Sequence, residues 1–147
     1  MSDTSPRAIL NHLIETCRDG VHGFEHAAGL VTDPAFKVLF TDLSRRRSHL
    51  AAELLPHAQR LGGSEAADGT TAASLHRTWM DVRSNLGAGN DLAVMAEARR
   101  GDAATVAAFK DAVEGALPAT VRDLVERQYA EVRAAHEELD PSPVAAP

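Results

Sequence analysis

Three polar residues, Arg47, Asp102 and Gln128, occupy apolar-stripe positions, with Cys17 as the corresponding small residue on the first segment, each near the middle of a long amphipathic segment. One such residue from each of four helices would converge at the centre of a bundle, the level at which four-helix bundles hold dinuclear metal centres. That chemistry needs a carboxylate on each of two helices and Glu-x-x-His on the other two. The residue types here are wrong for it. The second segment offers Arg47 and Leu50 at the motif positions, the last offers Gln128-Tyr129-Ala130-Glu131, and no Glu-x-x-His occurs in the chain. A guanidinium has no lone pair to give a metal and would repel one. The pattern therefore predicts a buried polar cluster of Cys17, Arg47, Asp102 and Gln128, with Arg47 and Asp102 as a structural ion pair. Its rival has Arg47 running out along the helix rim to water.

No catalytic residue, cofactor or metal is expected on this reading. The alternative is an irregular iron or manganese site drawn from Asp102 with Glu25, Glu53, Glu97 or His136. His12, His22, His26 and His49 fall away from the apolar stripes, so exposure is expected of them. His22 and His26, four apart around Glu25, could capture zinc adventitiously. His57 and His136 sit on stripe edges, where capping or rim hydrogen bonds are the usual role. A thiolate at Cys17, favoured by Arg47, would suit a redox sensor; a buried thiol on a helix stripe is more often a small hydrophobe.

The elements that must position these residues are clearly punctuated. Ser5-Pro6 and Asp33-Pro34 each pair an N-cap with proline at the first helical position, where the missing N–H costs nothing. One helix should end near Leu30, and the next should stop at Gly62-Gly63. Residues 64–69 read as a loop. A short helix is predicted over about 71–86, with His76 and Trp79 as its anchor. Asn90 caps a further helix to about Ala116, and Pro118 starts the last, which fades near Leu139. Residues 1–140 then form one domain, and 141–147 a disordered tail.

Each long segment repeats apolar residues in threes and fours, as Leu10, Ile14, Cys17, Val21 and Phe24 do. Tight turns at Asp33 and Pro118 make two antiparallel hairpins. The long connection between them, carrying the short helix, can run the length of a bundle as the crossover of ferritin-like bundles does. The same turns put Cys17 level with Arg47, and Asp102 roughly level with Gln128.

Composition agrees. The chain is 44% hydrophobic but only 4% aromatic, and much of the rest is alanine, which favours close-packed helices. A net charge of −6 argues against a nucleic-acid partner. The single cysteine excludes a disulfide framework or a multi-cysteine metal site. No apolar run approaches the roughly 18 residues of a membrane span. Met1-Ser2-Asp3-Thr4 lacks a basic-then-apolar leader, so the cytoplasm is the expected location.

Several stretches resemble an uncharacterised bacterial four-helix-bundle family, a domain of unknown function of the ferritin-like superfamily. They are Leu13-Ile14-Glu15-Thr16-Cys17-Arg18-Asp19-Gly20 with Gly23-Phe24 and Ala27-Ala28, then Ala51-Ala52-Glu53-Leu54 with Leu61-Gly62-Gly63. Leu75-His76-Arg77-Thr78-Trp79-Met80-Asp81 is the most distinctive match, and Arg100-Gly101-Asp102 stands where the family often carries Arg-Gly-Glu. The resemblance covers about residues 9–139. It implies a ferritin-like bundle and a small stress-associated or housekeeping role, with no established activity to transfer. Leu50 and the shorter carboxylate of Asp102 depart from what a metal-binding member would want. The expected function is a non-catalytic bundle acting through self-association, as a dimer, or through a protein partner.

Overall fold

A computed structural model describes residues 5–61 and 90–140. Among these residues the chain forms four helices and no strand: α1 (Pro6–Leu30), α2 (Pro34–Arg60), α3 (Asp91–Glu114) and α4 (Ala119–Glu137). The predicted short helix with His76 and Trp79, the loop before it and the C-terminal tail lie outside the described residues.

The helix starts follow from their caps. The Ser5 side chain accepts from the Ala8 N–H at 3.2 Å, Asp33 from Ala35 at 2.8 Å and Asn90 from Ala93 at 3.2 Å. Each satisfies an amide that helix geometry leaves unpaired. Pro118 is a departure: it stands at the N-cap of α4 rather than inside it, and no side chain caps that helix. α3 also ends at Glu114, two residues short of the expected Ala116. Arg122 accounts for both differences. Its guanidinium donates to the carbonyls of Val113 and Gly115, so a cation closes the C-terminal end of α3 and fixes the turn into α4.

α1 packs along α2 and α3, while α4 packs along α3 and touches α2 more sparsely. Lys37 Nζ donates to the Ala28 carbonyl, and the Ser44 hydroxyl donates to that of Val21 at 2.9 Å. At one end Asp91 receives the backbone N–H groups of Thr32 and Asp33 at 2.9 and 2.8 Å, tying the α1–α2 turn to the start of α3.

Two apolar clusters fill the interior. One gathers Leu10, Leu13, Leu54, Phe109 and Val125; the other gathers Phe24, Phe40, Leu43, Met95 and Leu139. The Phe24 and Phe40 rings stack with centroids 6.3 Å apart. On α1, α2 and α3 the buried residues between the two clusters include Gly20, Ser44, Arg47, Gly101 and Asp102, all small or polar.

Two of the histidine expectations need correction. His22 and His49 are exposed, but His12 and His26 are partly buried. α1 packs against two neighbours, so its covered arc is wider than one stripe and takes in Thr16, Gly20 and Gly23. Burial holds the His12 imidazole below its ordinary value of 6.5, with Asp111 opposing. A histidine with a depressed native pKa contributes stability above the unfolded value that is lost as pH falls below it. Lowering the pH from 7 to 5.5 should therefore cost the wild type more in a urea melt than it costs His12→Gln.

Candidate functional site

The layer between the apolar clusters is the most polar part of the interior. α2 delivers Arg47, 1% exposed and among the largest fully buried side chains, and α3 delivers Asp102, 0% exposed. The guanidinium grips the carboxylate with both arms, Nη1 to Oδ1 at 2.5 Å and Nη2 to Oδ2 at 3.3 Å. This fork-on-fork geometry is the strongest that arginine makes with a carboxylate. Arg47 thus does not take the route along the rim to water.

Three neighbours make the burial tolerable. Gly20 on α1 has no side chain, and a Cβ there would lie 3.5 Å from Arg47 Cγ, so the arginine stem passes at contact distance. The face of Phe24 lies 5.2 Å from the guanidinium carbon, replacing water with the negative face of a ring. From α4, His136 Nδ1 approaches Asp102 Oδ2 at 3.0 Å. A carboxylate can only accept, so His136 donates this hydrogen bond through Nδ1–H. Burial pushes the Asp102 carboxyl up, but the charge of Arg47 and the hydrogen bonds from His136 and Arg47 outweigh it. The net position is below the ordinary 3.8.

Cys17 is fully buried on α1, close enough for Arg47 to act on it electrostatically. Burial dominates. It pushes the thiol up to about 12, against the pull of Arg47 and with a small push from Asp102. The side chain is a thiol at neutral pH, so iodoacetamide should modify native protein hardly at all and react fully once urea unfolds the chain.

Gln128 is buried but does not join the ion pair through any of its amide bonds. Its Nε2 donates to the Leu50 carbonyl at 3.3 Å and to Glu53 Oε1 at 3.0 Å, one turn further along α2 than Arg47. The α4 residue level with Asp102 is His136, eight positions on and about 12 Å up the helix. The expected pairing of levels was therefore offset along α4. The Gln128 Oε1 atom is buried without a hydrogen-bond partner. Both contacts of Nε2 are acceptors, which fixes the amide in this orientation.

The alternative metal set disperses. Glu25 lies by exposed His22, Glu97 holds Arg100, and Glu53 serves Gln128 with Arg127 and His49 nearby. Only Asp102 and His136 of that set touch each other in these contacts. Among the described residues no three His, Cys, Asp or Glu side chains form a group that could hold a metal ion. The donor chemistry at the centre does not fit a divalent cation either, because both Asp102 oxygens face a guanidinium. His57 bonds Arg60 across the last turn of α2, a helix-end role. Sequence reasoning gave His136 a stripe edge and a place in the alternative metal set; the spacing from the turn did not separate it from Gln128 as the residue level with Asp102. Asp91 and Arg122, which lock the turns, were missed because both lie at helix ends, away from the apolar stripes.

Among the described residues no helix is long and apolar enough to cross a membrane. The chain matches no curated protein. A family model matches residues 7–115, a span that contains Arg47 and Asp102 and stops before Gln128 and His136. The chain belongs to the family described as Domain of unknown function (DUF2383).

Proposed function

We propose that this chain is a non-catalytic, ferritin-like helical bundle in which a protein ion pair occupies the position other bundles give to metals. It acts in the cytoplasm by self-association or by binding a protein partner, in the small stress-associated or housekeeping role that the resemblance implies. The topology is two antiparallel hairpins, α1–α2 and α3–α4, joined by the connection 62–89. Pairs such as Ala28–Lys37 and Val21–Ser44, or Arg99–Glu137 and Arg122–Val113, support it, since their numbers run in opposite directions.

One observation carries the functional reading: the bidentate Arg47–Asp102 contact at the bundle centre. A guanidinium at that place supplies the positive charge a metal would supply, and supplies it permanently. Asp102 is satisfied, α2 is fixed to α3, and no open coordination position is left for oxygen or substrate. The test is elemental analysis of protein purified without a histidine tag. Iron and manganese well below one per chain are expected; stoichiometric metal restores the metalloprotein reading. Sedimentation equilibrium run on the same sample reads the self-association.

A further inference from the structure

We propose that the cavity between α1 and α3 binds a small primary amine with a compact apolar body, its ammonium held by Asp111 and His12. The cavity measures about 310 Å³, toward the low end of the range that small ligands occupy. It follows from the side-chain sizes on α3. Ala108 and Ala112 stand one turn apart on the face turned to α1, and neither carries more than a methyl group. Ile9 and Leu13 of α1 form the opposite wall. At the end of α3 the two helices come close, because a Cβ on Gly115 would stand only 3.1 Å from Ile9 Cδ1. The helices therefore meet at Gly115, while the short side chains before it leave a space between them.

His12 and Asp111 face this apolar space from opposite helices. His12 is partly buried, and Asp111 is exposed and near enough to act on the imidazole electrostatically. Among the described residues neither side chain has a hydrogen-bond partner. Burial disfavours the charged imidazole, so at neutral pH one ring nitrogen is an acceptor. The carboxylate accepts at both oxygens.

An ammonium group answers both, with a positive charge for Asp111 and three N–H donors to share between the two. A ligand carboxylate or phosphate would meet Asp111 with like charge. A hydrocarbon would leave both polar side chains unused. Arg122 already takes the carbonyls of Val113 and Gly115, so Asp111, not the end of α3, supplies the attraction. Asp111 lies about 13 Å along α3 from Asp102, so the site is separate from the ion pair and does not depend on self-association.

Benzylamine is the probe, titrated into the full chain at pH 7 and followed by NMR, with benzyl alcohol and benzoate as neutral and anionic mimics of the same shape. Benzylamine should bind saturably, one per chain, and move the ring-proton signals of His12. Benzyl alcohol should bind about tenfold more weakly, and benzoate more weakly still. Asp111→Asn, a surface change, should cost benzylamine about tenfold and remove its advantage over the alcohol. Ala116→Leu, at the exposed edge of the cavity, should obstruct all three. The proposal is overturned if benzylamine does not saturate, or if the alcohol or benzoate binds as tightly. It is equally overturned if Asp111→Asn binds like wild type, or if the shifts centre away from His12.

Discussion

Replacing Asp102 by alanine should destabilise the folded chain by roughly 3–5 kcal/mol, the range seen when one partner of a dry ion pair is removed. The reason is the loneliness of what remains. Arg47 is 1% exposed, held between Gly20 and the ring of Phe24, and has no short path to water. Its guanidinium cannot lose its proton as a lysine could. The double variant Arg47→Met/Asp102→Leu should be far milder than Asp102→Ala, because no unpaired charge is left behind. Urea melts of the two singles and the double close the cycle. A coupling energy near zero would remove the pair from the account of stability.

Phe24→Ala should cost about 3–5 kcal/mol, the usual loss for a large buried aromatic. Phe24 is 0% exposed, stacks on Phe40 and covers Arg47, so the truncation opens a cavity beside a buried charge. Phe24→Leu separates the two roles. It keeps most of the apolar volume and loses the ring face, worth about 0.5–2 kcal/mol to a desolvated cation. That second loss should vanish when Phe24→Leu is made in the Arg47→Met/Asp102→Leu background. An equal penalty in both backgrounds would mean that the ring serves only the core.

The helices were legible because each signal for them is local. Ser5-Pro6, Asp33-Pro34 and Asn90 mark starts whose cap bonds form within the next few residues, and the apolar spacing marks the buried faces. The convergence of Arg47 and Asp102 was legible for a different reason: a charge on an apolar stripe must find a counter-charge, and few partners lie at that depth. Register along the bundle was not legible at the same precision. Gln128 and His136 stand on the same side of α4, and choosing between them required the shape of the turn at Gly115–Pro118, which Arg122 sets by a contact no periodicity encodes. The width of the covered face on α1 was hidden for a related reason. His12 and His26 look solvated on a helix with one neighbour and are partly buried on a helix with two.

The central claim is that an arginine, not a metal, neutralises Asp102 at the middle of the bundle. The most direct measurement is an anomalous-difference map from crystals of untagged protein, recorded above the iron and manganese edges. The account predicts no peak near the Asp102 carboxylate, with both of its oxygens held by the Arg47 guanidinium. A peak at bonding distance from Asp102, with Arg47 turned away, would contradict it and restore a metalloprotein.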